Sequence, residues 1–364
     1  MKVLVTGGAG FIGSHIVDEL VDLGHEVVVI DDLDPAAHRG VPDGLNEAAR
    51  YMWADVRAPD VWPALLAGVD AVCHQAAKVG LGADFADVGE YVTRNDVGTA
   101  TMLGALHDRG FAGRLVLASS MVVYGEGRYR CNAHGVVRPG PRRRDDLDAG
   151  NFEPPCPECG DELVAEPVPE DHWLDPRSVY ATSKLAQEGL CSAFAREHGD
   201  CGVTALRYHN VYGPRMPRDT PYAGVASLFR SAYERGEAPS VLEDGRQQRD
   251  FVHVADVAHA NVLALTKSAP ARGAFNICTG VPRTVLDMAQ ALRPSDAPMP
   301  RVVGGYRLGD VRHVFADSTK ARRLLGFEAS IAFADGMRDF ANATLRRSPA
   351  VGEAAVATIG GARG

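Results

Sequence analysis

Short apolar runs alternate with amphipathic segments from the N-terminus to about residue 210. The run at 2–6 has the apolar character of a central parallel strand that is covered on both faces. In the segment 11–23, apolar side chains recur at helical spacing. The same patterns predict further strands at 26–30, 71–74, 114–118 and 203–208, and helices at 98–107 and 178–198. This alternation predicts an α/β fold built on a Rossmann-type doubly wound parallel sheet.

Two segments interrupt this pattern. Residues 126–171 are rich in Pro, Gly, Arg and Asp and show no steady period, so we predict an insertion there. Residues 348–364 are mostly small and rich in Gly and Ala, which predicts a flexible tail.

The composition narrows the class of protein. The 364 residues are 46% hydrophobic, enough for a large buried core, and the net charge of −9 argues against a broad nucleic-acid-binding surface. No apolar stretch approaches the length of a membrane span, and the N-terminal run is too short for a signal peptide. Seven cysteines, an odd number, do not suggest a disulfide framework. We therefore expect a cytoplasmic protein that binds neither nucleic acid nor a membrane.

A glycine-rich turn follows the first predicted strand and opens the first predicted helix. Gly7, Gly10 and Gly13 have the spacing that permits a tight turn, a close approach of a pyrophosphate to the backbone, and close packing of helix on strand. An acid, Asp31, ends the second strand 18 residues after Gly13. An acid at this place accepts hydrogen bonds from the adenosine ribose and repels a 2′-phosphate. The sequence therefore predicts a dinucleotide site that prefers NAD to NADP.

A second group of residues has the character of an acid–base site. Tyr180 and Lys184 are four residues apart and share one face of a predicted helix. A neighbouring ammonium, together with the positive nicotinamide ring of NAD, would stabilise a phenolate and lower the tyrosine pKa. Ser120 ends an apolar strand, where side chains face the ligand crevice of such sheets. We predict that Ser120, Tyr180 and Lys184 are catalytic.

These features occur in a fixed order along the chain, among other motifs. The motifs are the Gly7–Gly13 turn, Asp31, Asp55-Val56, His74-Gln75-Ala76-Ala77, Asn95, Ser120, Tyr180 with Lys184, Arg207-Tyr208-His209-Asn210-Val211-Tyr212-Gly213-Pro214, Arg249-Asp250-Phe251-Val252-His253-Val254 and Arg307-Leu308-Gly309-Asp310. From residue 1 to about 347 the chain resembles the extended short-chain dehydrogenase/reductase family, in its nucleotide-sugar epimerase/dehydratase branch. The chain departs from the family at His209, where the family usually carries Phe.

The resemblance implies binding roles for particular residues. The implied NAD-binding residues are Gly7, Gly10, Phe11, Ile12, Gly13, Asp31, Asp32, Asp55, Val56, Gln75, Ala76, Ala77, Asn95, Tyr180, Lys184 and Tyr208. The implied residues for a nucleoside-diphosphate sugar are Ser120, Met121, Asn210, Gly224, Val225, Arg249, Arg307 and Asp310. Two arginines beside a diphosphate would form charge-assisted hydrogen bonds with it.

Members of this family catalyse several reactions that begin alike. Dehydratases of the family carry Asp and Glu after the catalytic Ser or Thr, and decarboxylases keep the Glu, whereas this chain has Met121 and Val122. The resemblance therefore favours an NAD-dependent 4-epimerase that forms a transient 4-keto sugar, with a dTDP-L-rhamnose-type or UDP-hexose-type substrate. Alternatives are a UDP-glucuronate 4-epimerase, a dehydratase, decarboxylase or reductase, and a non-catalytic NAD-binding partner protein.

Four of the predicted insertion's residues have the spacing of metal ligands. Cys131 and His134 form one close pair, and Cys156 and Cys159 form a second. Two such pairs of soft ligands suit tetrahedral Zn²⁺, and four protein ligands leave no open position for catalysis. We therefore expect a structural zinc.

The resemblance also implies a division into domains and an oligomeric state. It predicts an NAD-binding domain of residues 1–211 plus about 250–277, and a smaller nucleotide-sugar-binding lobe of about 212–249 plus 278–347. It predicts a homodimer, in which two helices of each subunit, one of them carrying Tyr180, pack as a four-helix bundle.

Overall fold

A seven-stranded parallel sheet lies at the centre of the computed structural model, which describes residues 1–35, 37–80, 85–218 and 224–346. The predicted tail, 348–364, lies outside the described residues. The strands in chain order are β1 (Lys2–Thr6), β2 (Glu26–Asp31), β3 (Arg50–Trp53), β4 (Ala71–His74), β5 (Arg114–Ser120), β6 (Arg128–Cys131), β7 (Gly135–Val137), β8 (Val164–Glu166), β9 (Gly202–Tyr208), β10 (Asn210–Tyr212), β11 (Ser240–Val241), β12 (Gln248–Arg249), β13 (Phe251–His253), β14 (Gly273–Ile277), β15 (Arg283–Thr284), β16 (Arg301–Val302) and β17 (His313–Val314).

Helices connect the strands and cover both faces of the sheet. They are α1 (Phe11–Asp22), α2 (Trp62–Leu65), α3 (Val88–Tyr91), α4 (Gly98–Asp108), α5 (Arg144–Asp148), α6 (Val179–Glu197), α7 (Val225–Glu234), α8 (Val254–Thr266), α9 (Val285–Ala291) and α10 (Phe333–Asn342). Short 3₁₀ segments occur at Pro59–Val61, Phe85–Asp87 and Met121–Tyr124, and π-helical segments at Val92–Val97 and Ala321–Leu325. Among the described helices, none is both long and apolar enough to cross a bilayer.

The strand order confirms the predicted doubly wound sheet. It runs β14–β9–β5–β4–β1–β2–β3, and every pairing between neighbours is parallel. The chain therefore reverses its direction of travel across the sheet between β1 and β4, and a crevice opens beyond the strand ends at such a point.

The apolar run of β1 is buried on both faces, as its sequence predicts. Val3 and Val5 pack with Ile16 of α1 in one apolar cluster, whereas Leu4 packs with Met102 of α4 in the other. Successive side chains of a strand point to opposite faces, so a strand between two helical layers buries consecutive apolar residues, as Val3, Leu4 and Val5 do here.

Chain segments after β9 build a second lobe around its own apolar cluster. Phe229 of α7, Met288 of α9 and Phe340 of α10 meet there with Tyr212 and Phe251. The cluster lies beside the carboxyl ends of the sheet strands because β10 continues directly from β9 and pairs with β13.

The predicted insertion, which we call the insertion throughout (residues 126–171), folds as a small unit. Its strands form an antiparallel sheet in the order β7–β6–β8, and the short helix α5 lies between β7 and β8 in the chain. The apolar cluster beneath it is small and contains Tyr129, Val137 and Leu163 together with two cysteines. A unit with so few apolar residues needs another source of stability.

Candidate functional site

A cavity of about 1310 Å³ lies beyond the carboxyl ends of the central strands. It extends from the glycine-rich turn after β1, past the end of β5, to the second lobe. Sites for one small ligand usually have volumes of about 300–1,000 Å³. This cavity is large enough for two ligands side by side.

Two glycines of the glycine-rich turn pack so close to neighbouring backbone that a residue with a side chain cannot replace them. Gly7 has a φ of +67°, and a Cβ on it would lie 2.7 Å from the Ala76 nitrogen. A Cβ on Gly13 would lie 2.2 Å from the Gly7 carbonyl oxygen. Gly10 caps the N-terminus of α1, so the free N–H groups of that helix begin at the cavity. Such a helix end attracts a phosphate.

The acid at the end of β2 is held against this turn. Asp31 is 6% exposed, and its two carboxylate oxygens accept the N–H groups of Ala9 at 3.0 Å and Leu33 at 2.9 Å. The His38 Nε2 atom lies 3.8 Å from Asp31 Oδ1. Because each carboxylate oxygen has a second acceptor position, Asp31 can still bind hydroxyl groups in the cavity.

Ser120, Tyr180 and Lys184 all line the cavity. Ser178 caps α6 by accepting the Ala181 N–H at 3.1 Å, which fixes the start of the helix that carries the tyrosine and the lysine. Tyr180 hydrogen-bonds with Ser120 across the gap between α6 and β5. Lys184 is buried and donates to the Ala118 carbonyl at 2.8 Å. The arrangement places a hydroxyl, a phenol and an ammonium at one point of the cavity wall.

The protonation of this group differs in one respect from the sequence prediction. Burial raises the pKa of the Tyr180 phenol to about 12, and the hydrogen bond with Ser120 opposes that rise. Lys184 was expected to lower this pKa, but its ammonium contacts a backbone carbonyl instead. Burial lowers the pKa of Lys184 itself to about 8, against the attraction of Glu188 and Asp96. The protein alone therefore keeps the phenol protonated at neutral pH.

Nearly all the other predicted cofactor residues also line this cavity. They are Gly7, Gly10, Phe11, Ile12, Gly13, Asp31, Asp32, Asp55, Val56, Gln75, Ala76, Ala77 and Tyr208. Two of them are oriented by neighbours: Asp55 pairs with Arg57 at 2.5 Å, and the Tyr208 hydroxyl donates to Gln75 at 3.1 Å.

Asn95 is the exception among the predicted cofactor residues. It is 0% exposed and does not line the cavity. Its amide bonds to the backbone of Lys78, at 2.7 and 3.0 Å, and donates to the Ser183 hydroxyl at 2.9 Å. Asn95 therefore connects the loop after β4 to α6, and both polar atoms of its side-chain amide are hydrogen-bonded within the protein.

The predicted substrate residues lie at the other end of the cavity. Met121, Asn210, Gly224, Val225, Arg249, Arg307 and Asp310 line it together with Ser120. Arg307 is exposed, whereas Arg249 is 7% exposed and donates to the carbonyl oxygens of Gln248, Val311 and Arg312. Part of the hydrogen-bonding capacity of Arg249 is therefore already engaged by the chain.

His209, the residue that departs from the family pattern, also lines the cavity and is 4% exposed. Burial lowers its pKa to about 3, although the neighbouring Asn276 opposes this fall. The imidazole is therefore neutral at physiological pH. It leaves the substrate end of the cavity without the positive charge that an exposed histidine could carry.

Sequence reasoning missed one residue beside the glycine-rich turn. The Arg346 guanidinium lines the cavity, donates to the Ala9 carbonyl oxygen, and donates to the Ser14 hydroxyl at 3.0 Å. It arrives there because the end of the described chain pairs with the segment after β10, where Arg346 N–H donates to Met216 at 3.1 Å. No local sequence pattern predicts such a contact, because the contact depends on where the second lobe packs.

The insertion does not reach the cavity surface. Among the described lining residues, Gly125 and Arg177 flank it, and no residue of 126–171 is present. Although the insertion lies between Ser120 and Tyr180 in the sequence, its described residues therefore do not border the cavity.

The four predicted metal ligands come together within the insertion. Their ligand atoms all lie within 4.8 Å of one another. His134 Nδ1 lies 3.5 Å from the sulfur of Cys131 and 3.6 Å from that of Cys156, and the sulfurs of Cys131 and Cys159 are 3.7 Å apart. A tetrahedral zinc with usual bond lengths separates two sulfurs by about 3.8 Å and a sulfur and a nitrogen by about 3.6 Å. The donor set and its spacing therefore fit this ion.

Known proteins resemble this chain over most of its length. The NAD dependent epimerase/dehydratase family matches residues 3–145 and 151–278. A dTDP-L-rhamnose 4-epimerase of Burkholderia thailandensis is 36% identical over 335 residues, 90% of each chain. The crystal structure of UDP-glucose 4-epimerase from Thermotoga maritima with UDP-glucose has a TM-score of 0.76 at 29% identity, covering 94% of this chain and 97% of that one. MoeE5 in complex with UDP-glucuronic acid and NAD has a TM-score of 0.72 at 32% identity, covering 94% and 98%.

Proposed function

Since this chain belongs to the NAD dependent epimerase/dehydratase family, we propose that it is an NAD-dependent 4-epimerase of a nucleoside-diphosphate sugar. The observation that carries the proposal is the meeting of Ser120, Tyr180 and Lys184 in one cavity with the glycine-rich turn, with Met121 and not an acid next to the serine. Such a site can move one proton at one hydroxyl, and it offers no second acid–base pair for elimination.

The residues present fit NAD. The turn at Gly7 and Gly13 leaves no room for a Cβ, as expected where backbone must approach a pyrophosphate. Asp31 would bind the adenosine ribose, and Tyr208 with Lys184 would lie beside the nicotinamide end. When bound, NAD would accept a hydride from C4 of the sugar and return it to the opposite face.

The chain's own residues would handle the proton of the C4 hydroxyl. Tyr180 would take this proton and later give it back, with Ser120 hydrogen-bonded to the same hydroxyl. Because burial raises the phenol pKa to about 12, Tyr180 can act as a base only beside positive charge. The positive ring of the oxidised cofactor would be the main source of that charge, since the Lys184 ammonium, one helical turn away, is engaged by the Ala118 carbonyl.

The second lobe would hold the nucleotide. Arg249 and Arg307 would neutralise the diphosphate, Asp310 would bind the ribose of the nucleotide, and Asn210 would face the diphosphate or the sugar. The half-buried Met121 and the buried His209 would help to exclude water from the reacting carbon. Exclusion of water keeps a transient ketone from leaving or reacting further.

We predict that the NAD-loaded protein converts at least one of three sugars into its C4 epimer. Each substrate is followed separately by NMR: dTDP-L-rhamnose tests a deoxyhexose, UDP-glucose a hexose and UDP-glucuronate a hexuronate as the sugar that the cavity binds. The expected result is an equilibrium mixture of two C4 epimers with no net change in NAD. Loss of water or of carbon dioxide from any of the three would contradict the proposal and favour the dehydratase or decarboxylase alternative.

We predict that Asp31→Asn weakens NAD binding by about 10- to 100-fold, because a charged acceptor contributes about 1.5–3 kcal/mol to a hydrogen bond with a ribose hydroxyl. The replacement amide would also turn an N–H donor toward Ala9 or Leu33. Calorimetric titration of protein stripped of cofactor measures the affinity. Asp34→Asn is the matched control, since Asp34 lines the same cavity, is not among the predicted NAD-binding residues and pairs with Arg94 at 2.9 Å. Equal affinities of Asp31→Asn and the unchanged protein would remove Asp31 from the site.

The cysteine–histidine cluster supports a further part of the proposal, a structural zinc. Cys131, His134, Cys156 and Cys159 would supply all four ligands, so the ion would have no open position for substrate. The insertion has little apolar surface to bury, and metal binding is an established substitute for such a core.

A homodimer is also part of the proposal. Val92 and Val97 lie in the π-helical segment that leads into α4 and are 42% and 45% exposed, and Leu190 of α6 is 36% exposed. Apolar side chains on two adjoining helices suit a helical bundle between two copies of the chain.

We also place the enzyme in the cytoplasm, which its seven cysteines favour because none of them forms a disulfide.

A further inference from the structure

The insertion holds one short piece of the second lobe, the 310–313 segment. The Tyr129 hydroxyl accepts the His313 N–H at 3.2 Å. The Glu126 carboxylate accepts the Arg312 N–H at 2.6 Å. The backbone of the segment is therefore fixed by residues at the start of the insertion, far from it in sequence.

Arg312 is the centre of the contact. It is 0% exposed, and its guanidinium donates to Glu153 of the insertion at 2.6 and 2.8 Å. It also donates to Glu243 at 2.8 Å and to Asp244 at 2.7 and 2.8 Å, both in the second lobe. Burial alone would raise the pKa of Glu153, but hydrogen bonds from His313 and Arg312 lower it to about 2. One buried arginine thus joins a carboxylate of the insertion to two of the lobe.

A second arginine crosses the same boundary in the other direction. Arg142 belongs to the insertion, and its side chain is 4% exposed. It donates to Glu243 of the lobe at 2.8 Å and to the Asp310 carbonyl at 2.7 Å, and it lies 3.5 Å from Glu126. Charged groups from both sides therefore alternate through the boundary.

The opposite side of the 310–313 segment faces the cavity. Asp310 and Val311 line it, and the cavity residue Arg249 donates to the Val311 and Arg312 carbonyls at 2.7 and 2.9 Å. Arg249 also lies 3.5 Å from the Asp310 carboxylate. The segment is thus a single layer between the insertion and the end of the cavity assigned above to the nucleotide.

We propose that the insertion is a positioning element of the substrate site. Through its buried charges it fixes the 310–313 segment and the cavity-facing Arg249 where they bind the nucleoside diphosphate half of the substrate. Its residues touch no ligand and act through Arg312 and the backbone of the segment. This inference rests on the proposed function only in assigning that end of the cavity to a nucleotide.

Charge-assisted hydrogen bonds suit such a role because they fix direction as well as distance. A buried guanidinium that loses one carboxylate keeps the cost of its desolvation and must shift toward its remaining partners. For Arg312 those partners are Glu243 and Asp244, which lie on the lobe side. Loss of Glu153 would therefore pull the segment away from the insertion and misalign Arg249.

The test compares two carboxylates of the insertion. Glu153→Ala removes the link to Arg312, and its side chain is 41% exposed, so the fold tolerates the change. Glu166→Ala is the matched control, because Glu166 pairs with Arg128 and Arg130 inside the insertion. Calorimetry of the NAD-loaded proteins with UDP and with dTDP measures nucleotide affinity, and bound NAD and the melting temperature report the rest of the fold.

We expect Glu153→Ala to weaken binding of the preferred nucleotide about 5- to 10-fold and to raise KM alike, with kcat changed less than about twofold. Bound NAD should stay the same, and Glu166→Ala should match the unchanged protein. Nucleotide affinity unaffected by Glu153→Ala, or lowered equally by both variants, overturns the positioning role. So does an unchanged protein that binds neither UDP nor dTDP. An unchanged protein that binds a nucleotide but epimerises no sugar removes the proposed reaction and leaves this inference intact.

Discussion

Tyr180→Phe is expected to lower turnover by about 10³-fold while the protein keeps its bound NAD. Positioned proton transfer contributes about 10²–10⁴-fold to a rate, and phenylalanine can neither take nor return the C4 proton. Its ring preserves the packing against Tyr91, whose centroid lies 6.0 Å from that of Tyr180. Turnover is measured by NMR on the sugar that the unchanged protein epimerises, and bound NAD by its absorbance after release.

Ser120→Ala is the companion variant for this prediction. Ser120 hydrogen-bonds with Tyr180 but does not carry the proton in the proposed mechanism, so its loss should reduce turnover less, by about 10- to 100-fold. A Tyr180→Phe protein that turns over at the unchanged rate would show that another group is the base. A variant that also loses its NAD would instead assign Tyr180 a binding role.

The fold of the first domain follows from local patterns in the sequence. Val3, Leu4 and Val5 of β1 are apolar because helices cover both faces of the sheet, and the predicted span of β1 is the observed one. Strand β3 escaped prediction because it lies at the sheet edge and its sequence, Arg-Tyr-Met-Trp, mixes polar and apolar residues without a clear period. An edge strand needs burial on fewer sides, so its sequence is less constrained.

Most of the residues proposed for catalysis and cofactor binding line one cavity, and they could be proposed from the sequence for a related reason. The glycine-rich turn, Asp31 and the Tyr180–Lys184 pair are each recognisable locally, because the first lies between β1 and α1, the second ends β2 and the third lies within α6. Asn95 has a predicted cofactor role but is buried and does not line the cavity. Its buried amide satisfies its hydrogen bonds within the protein, which no spacing rule reveals.

The contacts that shape the far ends of the cavity could not be predicted. Arg346 meets Ser14, and Glu153 meets Arg312, across long stretches of chain. Single arginines and glutamates are common on surfaces, so their sequence gives no sign that a partner is buried beside them. Only the packing of the second lobe and the insertion against the sheet brings these charges together.

Replacement of a zinc ligand is expected to have the second large effect. The purified protein should hold about one zinc per chain, and Cys156→Ser should lose most of it, because the variant keeps only three of the four ligands of a structural site. Metal binding supplies most of the folding free energy of small zinc units, about 10–16 kcal/mol in isolated peptides. The insertion should therefore open locally in Cys156→Ser, and trypsin should cleave it at Arg128 or Arg142 at least about 10-fold faster.

Cys201→Ser separates this effect from a general effect of losing a buried thiol. Cys201 is 0% exposed, packs in the core beneath the sheet, and lies outside the four-ligand cluster. It should keep its zinc and its resistance to trypsin in the insertion. Because the 310–313 segment is held by hydrogen bonds from the insertion, Cys156→Ser should also weaken nucleotide binding while NAD remains bound. Full nucleotide affinity in a zinc-free Cys156→Ser protein would show that the ion stabilises the cluster without supporting the substrate site.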